Sequence, residues 1–305
     1  MSDRRHKFRH VKSMIDEHKL AVLGIQESHM DTESENRFQE IYYRWFKLIN
    51  SGHPEKPNST AGVAFILNKA FVDTENVKEY VLVPGRALLL VIPVKGSDPM
   101  IVLNVYAPNT ERERILLWIQ LWEIWANDRN MPLPTDTLGD WNFVEEGRDR
   151  NSGLDDPVPN AWKRLKDLLH LEDGWRSTYP DKRDYTCIQN RVDNHSGEYH
   201  FSYSRLDRNY ITSGRGYHYR NWGIHRHAVK SDHLLITVEY CPRHETTQGE
   251  GRWCMPLYLL TMRKFMDKVD EWGLEVQEQV ENLDKQNRSK DWNIQTISEN
   301  FKNKI

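Results

Sequence analysis

Ser231-Asp232-His233 runs directly into the apolar stretch Leu234 to Tyr240, and this SDHLLITVEY string decides the fold because three acidic motifs sit at similar strand edges upstream. They are Gln26-Glu27-Ser28-His29 after LAVLGI, Gly139-Asp140-Trp141-Asn142 after TDTL, and Ser204-Arg205-Leu206-Asp207 after EYHFSY. Any one of them is explained by a solvated residue ending a strand. Carboxylates, one Asn and one His converging at strand ends are what metal-assisted phosphodiester hydrolysis needs.

Around these motifs the pattern alternates between strand and helix. Val- and Ile-rich runs flanked by Gly, Pro, Asn and Asp predict strands at Gly62 to Leu67, Ala87 to Val94, Met100 to Ala107, Tyr185 to Gln189, Glu198 to Leu206 and Leu234 to Tyr240. Phe8, Val11 and Ile15 recur at helical spacing ahead of the strand that begins near Leu20. Glu111 to Asn127 reads as a helix whose wide apolar face carries Ile115, Trp118, Ile119, Trp122 and Trp125, a stripe suited to packing on a sheet. Trp162 to Leu171 reads as a second helix, following an irregular loop from Gly147 to Asn160. Sheets packed on each other with helices on their outer faces accommodate this order.

The chain has 305 residues, 38% of them hydrophobic, enough for a large domain with an extension. Its formal net charge of -3 gives no global basic footprint, so nucleic-acid contact must come from local patches. One candidate is Arg4-Arg5-His6-Lys7 with Arg9 and Lys12; the better one runs from Arg215 through Arg220 to Lys230, where basic and aromatic residues interleave. Period-2 alternation explains the second patch equally well as a solvated surface strand. Cys187, Cys241 and Cys254 are odd in number and lack C-x-x-C spacing, which suggests neither a disulfide framework nor a zinc site and implies a reducing compartment. His225 and His227 share a strand face but have no third spaced ligand. The start MSDRRHKFRH lacks a signal-type apolar region and no run is long enough to span a bilayer, so a soluble, unsecreted chain is expected.

The four motifs in this order, with Asn104-Val105-Tyr106-Ala107-Pro108-Asn109 as an N-x-Y-x-P-N segment, resemble the endonuclease/exonuclease/phosphatase superfamily. That superfamily includes deoxyribonuclease I, apurinic-site endonucleases and the endonuclease domains of LINE-type retrotransposons. The resemblance covers residues 1–240 and implies an α/β four-layer sandwich of two packed mixed β-sheets flanked by helices, with the active site at one end. Residues 241–305 form a polar linker and a helical extension, in which Met262, Phe265, Val269, Trp272, Val276 and Leu283 make a short heptad-like seam weakened by Gly273.

The resemblance also implies roles. Glu27 would hold Mg²⁺, with Mn²⁺ as an alternative and Asp232 as a second acidic residue near the metal. Asp140 would orient or deprotonate the attacking water, and the Asn142 amide would donate to a phosphate oxygen. His233 would act as acid/base or polarise the phosphate, its tautomer fixed by Asp207. Tyr106 would place a phenol by the phosphate and Asn109 would shape the rim, while the basic and aromatic patch, apart from the resemblance, offers Arg215 and Arg220 as DNA contacts.

Within the superfamily, SRLDRNYIT resembles the S-R-[IL]-D-R-x-[YF] run of retrotransposon endonucleases, implying a DNA-nicking enzyme acting in the nucleus with an associated reverse transcriptase. The Pro-Ala-Trp-x-Asp-Arg segment of inositol phosphatases is replaced by Tyr203-Ser204-Arg205-Leu206-Asp207-Arg208, which disfavours an inositol-phosphate or sphingomyelin phosphodiesterase. One departure matters: superfamily members begin with a strand ending in a metal-proximal Asn, and that strand should precede the Phe8 to Ile15 helix. Loss of that strand would impair activity, and the alternative reading is a non-catalytic remnant that binds nucleic acid. Neither G-x-x-x-x-G-K-[ST] nor G-x-S-x-G occurs, so nucleotide-triphosphatase and serine-hydrolase readings fail.

Overall fold

The structure is a computed structural model that describes residues 2–192, 199–241, 259, 261–283 and 293–304. The Arg4-Arg5-His6 side chains, Cys254, the 242–252 part of the linker and the Glu198 end of one expected strand lie outside the described residues. Chain contacts divide the molecule into residues 1–244 and 245–305.

The first unit opens with α1 (Ser2–His18), β1 (Val22–Gln26), α2 (Thr32–Tyr42), β2 (Phe46–Ser51) and β3 (Val63–Asn68). It continues through β4 (Lys78–Val83), β5 (Ala87–Ile92), β6 (Met100–Tyr106), α3 (Glu111–Asn127), β7 (Asp136–Asp140) and α4 (Asn160–Leu168). The remainder is β8 (Leu171–Asp173), α5 (Gly174–Thr178), β9 (Cys187–Val192), β10 (Tyr199–Ser204), β11 (Asp207–Thr212), β12 (Tyr219–His225) and β13 (Leu235–Tyr240). A six-stranded sheet has the order β4-β5-β6-β7-β11-β8 and a three-stranded sheet the order β1-β3-β2; β9 pairs with β10 and β12 with β13. Only β6 and β7 run parallel in the large sheet, and α3 is the crossover that this requires.

Three apolar clusters define four layers. Val63, Phe65 and Leu67 of β3 interdigitate with Leu88, Leu90 and Val102 between the two sheets. Leu117, Trp118, Leu121 and Trp162 of α3 and α4 cover the outer face of the large sheet. Val11, Ile15 and Phe38 of α1 and α2 cover the outer face of the small one. The sheets approach closely at Gly24, where an added Cβ would lie 2.2 Å from Leu138 Cδ1. Among the described residues β1 is an edge strand, paired only with β3.

Several local expectations shift. The buried face of α3 is Arg114, Leu117, Trp118, Leu121 and Trp125, rotated from the expected stripe, so that Ile119 faces solvent. The helix expected at Trp162 to Leu171 ends at Leu168, and Leu171 opens β8. The expected Glu198 to Leu206 strand stops at Ser204, and the chain re-enters the large sheet as β11. α2 is set by Asp31, whose carboxylate accepts the Ser34 N–H at 2.9 Å as an N-cap. The weakly apolar stretch before Gly139 is a central strand all the same, because buried Asp136 accepts from Thr135 Oγ1 at 2.9 Å and Tyr219 Oη at 2.8 Å.

In the second unit α6 (Arg263–Leu283) and α7 (Ile294–Lys304) pair, burying Leu283 and Ile297, while Met262 is exposed. No described helix is long and apolar enough to cross a membrane.

Candidate active site

Strand register assembles the site. Asp140 ends β7, with Tyr106 of β6 as its parallel partner and Asp207 of β11 as its antiparallel partner. Directly opposed residues project to one face, so three functional side chains meet before any loop contributes. The approach of β6 and β7 requires glycine beside Asp140: Gly139 has φ +153°, and a Cβ there would fall 1.9 Å from the Val105 carbonyl oxygen. Asp207 is pinned at the start of β11 by Thr186, whose buried hydroxyl accepts the backbone N–H of Leu206 at 3.1 Å and of Asp207 at 3.0 Å.

His233 arrives from the loop before β13 and is tied to the start of β9 by a bridge to Cys187, with Leu234 N–H donating to Thr186 O at 2.7 Å. Its Nδ1 lies 2.8 Å from Asp207 Oδ2, so the carboxylate accepts Nδ1–H and leaves Nε2 to act. Burial lowers the imidazole, but the hydrogen bonds to Asp207 and Cys187 and the charges of Asp207 and Asp140 outweigh it and push the group up to about 12. Asp140 is buried beside Asp207, and burial followed by that like charge raises its carboxyl to about 7 against the pull of His233.

Glu27 follows β1 in a left-handed conformation, φ +50°, and its Oε1 accepts the Tyr106 hydroxyl. Burial and the Glu27 carboxylate hold the Tyr106 phenol well above its usual value. Asn142, also left-handed at φ +53°, gives its backbone N–H to Asp140 Oδ1 at 2.9 Å and one amide N–H to Ala107 O at 2.7 Å. Its second amide N–H stays available to a substrate oxygen. Asn109 stands on the rim between a cleft of about 840 Å³, which also holds Glu27, Asp140, Asp207 and His233, and a neighbouring cavity of about 640 Å³.

Not every expected residue joins this group. Asp232 is exposed, gathered with Cys187 and His233 and not with Glu27 in any described cluster of three possible ligands. Arg215 and Arg220, expected to contact DNA, stand apart from these residues: Arg215 lies beyond the far end of β11 with Nη2 on Tyr240 Oη at 3.4 Å, and exposed Arg220 pairs with Glu239 at 3.0 Å. Neither lines the cleft. The sequence also hid a buried scaffold under the site. Arg205 grips Asp149 in a fork, Nε to Oδ1 at 2.8 Å and Nη2 to Oδ2 at 2.9 Å, and reaches Asp173 Oδ2 at 2.7 Å. The charged letters of SRLDR and the acidic residue after GDWNF were the only signal.

The donors suit a hard divalent cation. Asp140, Asp207 and His233 offer ligand atoms within 4.8 Å of one another, and the raised Asp140 carboxyl marks a buried negative pair that a cation would relieve. Glu27 has one carboxylate oxygen left beside its Tyr106 contact.

The fold is shared with known structures. A 3'-5' exonuclease (NExo) from Neisseria meningitidis superposes with TM-score 0.60 at 17% identity, covering 77% of this chain and 94% of that one. The chain has the DNase I-like fold. An AP endonuclease from Archaeoglobus fulgidus, another DNase I-like protein, gives TM-score 0.57 at 20% identity over 77% of this chain and 95% of its own. The endonuclease domain of TRAS1, a telomere-specific non-LTR retrotransposon, gives 0.55 at 15% over 77% and 92%. No protein-family model and no curated protein matches the sequence.

Proposed function

We propose that this DNase I-like chain is a divalent-metal-dependent phosphodiester hydrolase acting on DNA. One observation carries the reading: Asp207 and Asp140 are opposed across β11 and β7, with His233 Nδ1 held on Asp207 at 2.8 Å. A scaffold role for this geometry would not require two buried carboxylates to face each other. That the three structural neighbours are nucleases by name supports the class.

Each side chain then has a task. Mg²⁺ held by Glu27 with the neighbouring carboxylates would supply charge neutralisation at the phosphate. Asp140 takes the proton of the attacking water. Asn142 donates its free amide N–H to a non-bridging oxygen, and the imidazolium of His233 stabilises the same developing charge from the other side. Tyr106 fixes Glu27.

Within this class we favour DNA nicking of the retrotransposon type, on the strength of the Ser204 to Thr212 run and the TRAS1 likeness. Such an enzyme would act on chromosomal DNA in the nucleus, alongside a reverse transcriptase. The test is conversion of supercoiled plasmid to open circle in Mg²⁺: nicking that chelation stops and that Glu27→Ala and Asp140→Ala each abolish is expected. Undiminished nicking by either variant overturns the assignment.

A further inference from the structure

Cys187 has no task in the hydrolytic reading, yet it sits against the group that reading depends on. The bridge between Cys187 and His233 makes them opposed cross-strand partners, fixed by Ile188 N–H on Asp232 O at 2.8 Å and Leu234 N–H on Thr186 O at 2.7 Å. Opposed residues share a face, so the thiol and the imidazole are neighbours. Asp232 adds a carboxylate from the solvent side. The Sγ of Cys187, a ring nitrogen of His233 and a carboxylate oxygen of Asp232 all lie within 4.8 Å of one another.

We propose that Cys187, His233 and Asp232 form a site for a thiophilic divalent cation of the Zn²⁺ type, and that filling it withdraws His233 from hydrolysis. The donor set is S, N and O, which a soft or borderline cation accepts and Mg²⁺ does not favour. Three protein ligands with a fourth position open to water is an ordinary zinc arrangement. With bonds of about 2.0 to 2.3 Å, tetrahedral ligand atoms stand roughly 3.3 to 3.8 Å apart, so a modest closing is needed. Exposed Asp232 can supply it, since Gln189 donates to its carboxylate only over a long 3.4 Å.

The outer shell is in place. Asp207 accepts Nδ1–H of His233, and a carboxylate on the far nitrogen is the usual support of a metal-bound imidazole, directing Nε2 at the cation. Entry is provided from two sides: Asp232 and His233 line the large cleft, and buried Cys187 lines the smaller cavity. Binding is a proton-for-metal exchange without redox change: the thiol gives up its proton, Nε2 gives up its own, and Nδ1–H stays on Asp207. A His233 so held is neither acid nor oxyanion donor.

The inhibitory half rests on the hydrolase reading; the binding half does not. Co²⁺ titrated into the metal-free full chain should produce a thiolate-to-cobalt charge-transfer band that saturates at one equivalent and is displaced by Zn²⁺. Cys187→Ser and Cys187→Ala should both lose the band. Asp207→Asn should keep it while weakening Co²⁺ binding about ten- to a hundredfold. In plasmid nicking at fixed Mg²⁺, each protein measured against its own rate without Zn²⁺, Zn²⁺ should inhibit the wild type and Cys187→Ser should resist it. Absence of a Cys187-dependent band overturns the site, whatever the nicking shows. A band accompanied by equal Zn²⁺ inhibition of wild type and Cys187→Ser overturns the link to His233. A chain that shows the band and never nicks leaves the site standing and refutes the hydrolase reading.

Discussion

His233 Nδ1 and Asp207 Oδ2 stand 2.8 Å apart, and the strand position of Asp207 is itself held by the buried Thr186 hydroxyl. The imidazole is therefore oriented through a chain of three residues drawn from separate loops and strands. His233→Ala should lower turnover by roughly two to four orders of magnitude with a folded protein retained. Asp207→Asn should act through the same ring, so the double variant should lose little more than His233→Ala alone. Multiplicative losses in single-turnover nicking would show that the two do not work as a unit.

The Asp140 carboxyl sits at about 7 because it is buried and faces Asp207. As the base it must be ionised, so kcat/KM at limiting metal should rise through pH 7, and saturating Mg²⁺ should move that limb to lower pH. A limb that ignores Mg²⁺ contradicts the shared site. Stability has the opposite sign. A carboxyl raised in the folded state from 3.8 makes folding less favourable once it must ionise, so the penalty is absent in acid and complete above about 7. Asp140→Asn should accordingly raise the melting temperature at pH 8 and leave it unchanged at pH 3.5.

Two ion pairs should respond in contrasting ways. Arg205 is 2% exposed and holds both Asp149 and Asp173, so Arg205→Ala removes one charged partner from each, leaving Asp149 to Arg176 and Asp173 to the Arg176 N–H, and should cost roughly 2 to 3 kcal/mol in urea unfolding. The Arg220–Glu239 pair is open to solvent, and Arg220→Ala should leave both the unfolding midpoint and DNA affinity where they were. A large loss of DNA affinity in Arg220→Ala would return that residue to the binding surface.

The four motifs could be read from sequence because each sets a polar residue at the edge of a predicted strand, a local signal. Asp140, Asp207 and His233 meet as those motifs implied. The run from Arg215 to Lys230 divides for a topological reason: alternation announces a strand but not which of its ends faces the site, so Trp222, His227 and Lys230 line the cleft while Arg215 and Arg220 do not. The Arg205–Asp149 fork joins residues 56 apart, and nothing local distinguishes such letters from surface charge. Strand β2 was missed because Phe46 to Ser51 mixes polar and apolar residues without a sustained Val or Ile run. The Cys187 contact with His233 exists only through a cross-strand bridge, so cysteine spacing had no means of announcing it.

Glu27, His29 and Asn142 hold φ values of +50°, +46° and +53°, a region costly to side chains other than glycine and, to a lesser degree, asparagine. A library of this chain sorted for heat resistance alone should therefore accumulate Glu27→Gly and His29→Gly, gaining thermal survival while shedding the carboxylate beside Tyr106. The same library sorted for nicking should keep Glu27 and seek its stability elsewhere, so that the two selections diverge at the turn following β1.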